Sequence, residues 1–196
     1  MRPCQPRRQT RGGERFRGAL RCRRMLSFLR FLGTLNLAVW LGSAIFLTFA
    51  AGPAFFSPEM LSVMPRYHAG RAAQIVLSRY FTLQLVCAGI AFVQLLAGWF
   101  YAGKAPSRWQ SGLLVTLLGL SLVGGFWMQP KLKDLHTVMY APNTTQPDKD
   151  AAKRRFGMWH GVSQSANLLL TLGVIGYFWL HLHGGQRSHR LGLSNV

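Results

Sequence analysis

Hydrophobic residues in this chain lie in long runs without Asp, Glu, Lys or Arg, and short polar connections separate the runs. Each run is continuously apolar instead of alternating at a helical or strand period. Each is also close to the ~20 residues that a helix needs to cross a hydrocarbon core. The pattern predicts an all-α, four-helix transmembrane bundle, a polytopic membrane protein, with spans at about 31–56, 80–102, 109–128 and 160–180.

Tryptophans mark the limits of the last two predicted spans. Trp109 and Trp127 bracket the third span, and Trp159 and Trp179 bracket the fourth. At ~1.5 Å per residue these pairs lie roughly 27 and 30 Å apart, which is about one hydrocarbon thickness. Trp40 lies too deep in the first span for a headgroup position, so we expect it to pack inside the bundle.

The formal net charge of +18 is concentrated near the N-terminus. Residues 1–24 form an Arg-rich segment, which we interpret as a disordered arm that precedes a four-span domain at 25–183 and a tail at 184–196. The arm could bind anionic lipid or nucleic acid. We favour a third interpretation, in which translation starts at Met25 and the arm is not native, and we therefore expect no nucleic-acid partner.

The start site also decides the expected orientation in the membrane. With the whole arm, 14 Lys and Arg residues lie on the side of the chain ends and 9 on the other side. A start at Met25 reverses the bias to 5 against 9. Because positive loops face the cytoplasm, a Met25 start predicts that both chain ends lie outside it.

Polar residues form a narrow stripe on the fourth span. They are His160, Gln164, Asn167 and Thr171, which fall on one face of a helix at ~100° per residue. Polar residues of the first two spans are possible partners, namely Asn36, Ser43, Gln84 and Gln94. The stripe can either hydrogen-bond to neighbouring helices or line a cavity. We expect the first role for Asn167 and Thr171, and a functional role for His160 with Gln164.

The connection after the first span contains candidate metal ligands. Ser57 is a predicted N-cap followed by Pro58, so a short helix should run until Pro65. Met60, Met64 and His68 follow i, i+4, i+8 spacing, and thioether with imidazole suits Cu(I). Pro65 interrupts that run, and Met is also an ordinary filler of apolar gaps.

Four motifs around the spans resemble a known family. They are "GSAIFLTFAAGPAFF", "GRAAQIVLSRYF", "MQPKLKDL" and "RRFGMWHGVSQSANLLL", and they are similar to the transmembrane-protein-205-like family, a domain of unknown function. The resemblance covers roughly residues 25–183 and implies a membrane fold without an agreed activity. A more distant similarity to copper-resistance D-type membrane domains and related haem-binding four-helix proteins is one of fold alone.

That distant similarity draws attention to the histidines. A haem-binding alternative would use His68 and His160 as axial ligands, with His136 as a third candidate on the same side. The sequence has no paired carboxylates, no Ser-His-Asp pattern, no H-E-x-x-H and no Gly-rich phosphate loop. These patterns favour a binding, transport-related or assembly component over an enzyme.

We therefore expect a multi-pass protein of the cell (inner) membrane without a cofactor, with haem or copper binding as the alternative. Its expected partners are the lipid bilayer and either a second copy or another membrane protein.

Overall fold

The computed structural model describes residues 12–103 and 107–184, and every regular element within these ranges is helical. Two π-helical turns, Leu47–Ala51 and Gly124–Met128, interrupt the α-helices. The α-helices are α1 (Gly12–Phe46), α2 (Gly52–Ala54), α3 (Pro58–Val63), α4 (Arg66–Ala102), α5 (Arg108–Val123), α6 (Gln129–Tyr140) and α7 (Gln146–Gly184). The predicted all-α class is confirmed for the described residues.

Four helical stretches are long and apolar enough to cross a membrane, as the sequence predicts. They are Ser27–Ala54, Arg66–Tyr101, Arg108–Tyr140 and Gln146–His183. The second and fourth begin 14 residues before the predicted spans, at Arg66 and Gln146. At ~1.5 Å per residue the 36-residue second stretch is ~54 Å long. Part of it must therefore lie outside the hydrocarbon core, or the helix must cross the core at a tilt.

The N-terminal segment differs from the sequence-based expectation. Residues 12–24 were expected to be disordered, but they form the beginning of α1. Arg, Leu and Ala are favourable helix formers, and this segment extends a helix that the first span has already nucleated. Residues 1–11 and 185–196, which hold the rest of the arm and most of the tail, lie outside the described residues.

The spanning helices form a four-cornered bundle. Helix α1 contacts α4 and α7, α5 contacts the same two helices, and α6 packs mainly on α7. Helices α4 and α7 therefore occupy diagonal corners. Each begins at the same end of the bundle, because α1 leads towards that end and α5 with α6 returns to it. They therefore run parallel.

A small apolar core holds the bundle together. Leu37 and Trp40 of α1 pack with Leu114 and Leu117 of α5 and with Val174 of α7. Trp40 is completely buried, which confirms the expectation that it packs inside. Many large apolar side chains instead face outwards, including Phe31, Phe46, Phe49, Val93, Phe100 and Val115. Hydrocarbon is the solvent in which such a surface is favourable.

Each π-helical turn precedes a proline by two residues. Pro53 follows Leu47–Ala51, and Pro130 follows Gly124–Met128. A proline in a helix lacks an N–H and clashes with the carbonyl oxygen four residues earlier. The wider π turn relieves that clash, so both helices continue past their prolines towards the same end of the bundle.

The predicted short helix after the first span is confirmed as α3. Ser57 is its N-cap and accepts a hydrogen bond from the Met60 N–H, with 3.3 Å between nitrogen and oxygen. Backbone hydrogen bonding and the Ser57 side chain lower the pKa of Glu59 in this first turn. The helix ends at Val63, and Met64 is extended before Pro65.

Candidate functional site

A cavity of about 470 Å³ lies between the first halves of α4 and α7. The end of the first span and helix α6 complete its walls. The lining combines large apolar side chains with a few polar ones: Leu47, Gly52, Phe55, Phe56, Arg66, Gly70, Ala73, Gln74, Leu77, Tyr80, Phe81, Leu132, His136, Met139, Tyr140, Lys153, Phe156, Gly157, His160, Ser163, Gln164 and Asn167. Its volume falls within the ~300–1,000 Å³ of typical ligand pockets.

The parallel directions of α4 and α7 fix the level of each lining residue. Tyr80 of α4 contacts Asn167 of α7 through a hydrogen bond. Arg66 precedes Tyr80 by 14 residues, and Lys153 precedes Asn167 by the same number. At ~1.5 Å per residue, Arg66 and Lys153 both lie ~21 Å from the Tyr80–Asn167 contact. We call the basic end of the cavity its mouth, and the end at the Tyr80–Asn167 hydrogen bond its deep end.

Three of the four residues in the predicted stripe line this cavity. They are His160, Gln164 and Asn167, whereas Thr171 lies one turn deeper and is buried outside the lining. Gln164 Nε2 is 3.3 Å from His160 Nε2, and the His160 ring stacks on Phe156 with 5.8 Å between ring centroids. His160 and Gln164 are both exposed. The two side chains are accessible polar groups one helical turn apart.

Asn167 belongs to a hydrogen-bonded network that joins three helices. Its Oδ1 accepts a hydrogen bond from the Tyr80 hydroxyl at 2.8 Å, and its Nδ2 donates to Thr48 Oγ1 at 2.7 Å. Thr48 donates in turn to the Ala44 carbonyl, and Thr171 donates to the Asn167 carbonyl. The polar groups at the deep end therefore satisfy one another without a ligand.

The partners of Asn167 differ from the four residues that the sequence suggested. Asn36 Nδ2 donates to the Cys87 carbonyl, and Ser43 donates to the Trp40 carbonyl of its own helix. The other two bond or pack elsewhere: Gln84 accepts from Ser121, and Gln94 lies beside His181 near Gly33. None of the four lines the cavity. Along α1 or α4, each of the four lies nearer the middle or the opposite end of the bundle than the cavity does.

Two polar nitrogens in the walls of the cavity have no hydrogen-bond partner. They are Gln74 Nε2 and His136 Nδ1, and both atoms are buried. An unsatisfied buried donor is unfavourable by about 1–3 kcal/mol. The side chains lie on α4 and α6, closer to the mouth than the Asn167 network. The lining thus contains unpaired polar groups near the mouth and paired ones at its deep end.

Aromatic packing holds His136 in place. Its ring stacks on Tyr67 with 5.6 Å between centroids, and it also contacts Tyr140 and Phe156. On the other side its Nε2 approaches Gly70 so closely that a Cβ at residue 70 would overlap it. His136 therefore has little freedom to turn away from the cavity.

The charge on the lining is entirely positive. Arg66 and Lys153 are exposed at the mouth, and the lining includes no Asp or Glu. Arg71, one turn inside Arg66 on α4, is also exposed. The mouth consequently presents cations without a carboxylate of the lining to neutralise them.

Of the residues named for metal or haem binding, His160 and His136 line the cavity, whereas Met60, Met64 and His68 do not. Met60 lies on α3, Met64 in the extended link and His68 on α4, so the three do not share a helical face. Within residues 12–103 and 107–184, no group of three or more His, Cys, Asp or Glu side chains could hold a metal ion.

Sequence reasoning missed Gln74, Tyr80 and Thr48. Gln74 lies one turn after Gly70 and ahead of the predicted second span, and Tyr80 is the first residue of that span. Their spacing to the stripe becomes visible only when α4 and α7 are known to run parallel at one level. The motif "GRAAQIVLSRYF" did contain a signal, because Gly70, Gln74 and Tyr80 follow one another at intervals of four and six residues.

One comparison with known proteins gives a match. A family model described as a domain of unknown function (DUF4149) matches residues 35–141, more than half of the 196-residue chain. The match covers the parts of the cavity on the first span, α4 and α6, and it ends before α7. Comparison with curated proteins and with solved structures gives no match.

Proposed function

This chain belongs to the family of the domain of unknown function DUF4149, and from that premise we propose that it binds a small amphipathic molecule inside the membrane. The ligand occupies the cavity between α4 and α7. Binding of this kind suits a carrier or a lipid-sensing component of a membrane assembly. No step of covalent chemistry is part of the proposal.

The cavity of about 470 Å³ with its mostly apolar lining is the observation that carries the proposal. Gln74 Nε2 and His136 Nδ1 in its walls add to it, because they lack a partner within the protein and unsatisfied polar groups are especially unfavourable where water is absent. Asn167, by contrast, has its partners within the protein. This contrast supports a binding role near the mouth and a helix-joining role at the deep end.

The apolar part of the lining supports an amphipathic ligand over a polar solute. Leu77, Phe81, Leu47 and Leu132 surround the inner part of the cavity, and Phe55 and Phe56 flank its mouth. A strongly hydrated solute would lose its water against these walls without compensation. An apolar chain that enters from the bilayer has no hydration water to lose.

Two finer assignments accompany this proposal. The first is a relationship to the transmembrane-protein-205-like family. Three of the four motifs that resemble this family lie within the matched residues 35–141, and "RRFGMWHGVSQSANLLL" lies beyond them. We place the protein in the cell (inner) membrane, with lipid as its first partner. The long apolar helices support a membrane location.

A cavity-filling variant tests the proposal. Gly157 is in the lining, and a Cβ there would have no atom within 4 Å, so Gly157→Leu places a side chain into free space. Gly89→Leu is the matched control, because Gly89 is exposed, equally open and outside the lining. Native mass spectrometry of the detergent-purified protein should show a retained lipid-sized adduct for wild type and Gly89→Leu. Equal adduct occupancy in Gly157→Leu would contradict the proposal.

A further inference from the structure

The mouth of the cavity carries the chemistry that would select a ligand. We propose that it binds an anionic headgroup, a carboxylate or a phosphate, of an amphiphile whose tail lies along the cavity towards Tyr80 and Asn167. The inference rests on the proposed function and adds the chemical class of the ligand.

Charge is the first argument. Arg66 on α4 and Lys153 on α7 lie at the same level on opposite walls, since each precedes the Tyr80–Asn167 contact by 14 residues. The lining holds no acidic side chain. An anion between the two cations would be attracted from both sides, whereas a cationic headgroup would be repelled by both.

Hydrogen bonding is the second argument. Gln74, about two turns inside Arg66 on α4, has a buried Nε2 without a partner. The terminal torsion of a glutamine is broad, so rotation of the Gln74 amide can turn a donor towards the cavity. A carboxylate or phosphate oxygen accepts that bond, and such a charge-assisted hydrogen bond is stronger than a neutral one.

The apolar lining is the third argument. Beyond the basic end, Leu77, Phe81 and Leu132 line the cavity on the way to Tyr80. An alkyl tail is therefore the part of a ligand that suits the deep end of the cavity.

The headgroup, not the tail, decides affinity in this setting. The tail exchanges one apolar environment for another when it leaves the bilayer, because lipid chains are as apolar as Leu and Phe side chains. The contacts with Arg66, Lys153 and Gln74 are gained only by a headgroup of the right chemistry. The dissociation constants of ligands with one tail and different headgroups should consequently differ by orders of magnitude.

The experiment is equilibrium binding of tritiated palmitate to the full-length protein in dodecyl maltoside, with competition by three molecules of the same tail. Hexadecyl phosphate should compete within about tenfold of unlabelled palmitate. Methyl palmitate and hexadecyltrimethylammonium should bind roughly tenfold to a hundredfold more weakly, because they lose the charge-assisted contacts. The better of the two anionic competitors identifies whether the native headgroup is a carboxylate or a phosphate.

Variants assign the effect to the mouth. Arg66→Gln combined with Lys153→Gln should weaken palmitate binding by about tenfold or more and leave methyl palmitate binding unchanged. Gln74→Leu should weaken palmitate in the same direction. Arg154→Gln is the matched control, since Arg154 is exposed on the same helix as Lys153 and lies outside the lining.

The outcomes separate the inference from the proposed function. If all four amphiphiles bind equally and Gly157→Leu abolishes their binding, the cavity binds amphiphiles but the anionic headgroup is wrong. If Gly157→Leu changes the binding of none of them, the cavity is not the binding site and both proposals fail. Preference for the trimethylammonium compound would also overturn the inference.

Discussion

At the scale of single residues, the polar groups of the cavity divide into paired and unpaired sets, and mutation should affect the two sets with opposite signs. Asn167 bonds to Tyr80 and Thr48 on two other helices. Interhelical hydrogen bonds in membranes contribute about 0.6–2 kcal/mol each. Asn167→Leu should therefore destabilise the bundle modestly. A double-mutant cycle with Tyr80→Phe in thermal or denaturant unfolding should show coupling, and additive effects would show that the bond contributes nothing.

Gln74 should behave in the opposite way. Because its Nε2 is buried without a partner, Gln74→Leu removes an unfavourable group and should raise the unfolding temperature of the delipidated protein. Asn36→Leu is the control, since Asn36 donates to the Cys87 carbonyl at 2.9 Å and its loss should lower that temperature. A decrease for Gln74→Leu as large as that for Asn36→Leu would mean that Gln74 is bonded within the protein.

At the scale of elements, close packing between α4 and the π-helical turn Gly124–Met128 supports one wall of the cavity. A Cβ at residue 124 would overlap the ring of Phe81, which lines the deep end. Gly124→Ala should displace that ring and destabilise the protein by about 1–3 kcal/mol, the usual effect of overpacking. Gly119→Ala on α5, where a Cβ meets no atom within 4 Å, is the control. Unfolding in a mixed-micelle denaturant series measures both, and equal stability of the two variants would contradict the packing argument.

The elements also show how far the sequence alone could lead. Uncharged runs and tryptophan positions predicted four spans, because length and polarity along a single helix determine whether it can cross hydrocarbon. The stripe on α7 was visible for the same reason, as a periodicity within one helix. The partners of Asn167 were not visible, since Tyr80 and Thr48 meet it only through the relative level and direction of α1, α4 and α7. Whether Gln74 and His136 have hydrogen-bond partners depends on the positions of all the helices around them, which the periodicity of one helix does not give.

At the scale of the whole molecule, the basic mouth of the cavity lies at the end of the bundle where nine of the 23 Lys and Arg residues lie. If translation starts at Met25, the positive-inside rule places that end in the cytoplasm and both chain ends outside it. A phosphatase reporter fused after residue 183 should then be active and a cytoplasm-dependent reporter inactive. The opposite pattern would indicate that the N-terminal basic segment sets the orientation.

The central claim is that an amphiphile lies inside the bundle, between α4 and α7, and the most direct measurement is photo-crosslinking with a palmitate that carries a diazirine near the end of its tail. After illumination of the full-length protein in membranes, peptide mass spectrometry locates the adducts. We predict adducts on inner lining residues such as Leu77, Phe81 and Leu132, and their loss in Gly157→Leu but not in Gly89→Leu. Adducts confined to outward-facing residues such as Phe49, Val93 and Phe100 would contradict the account.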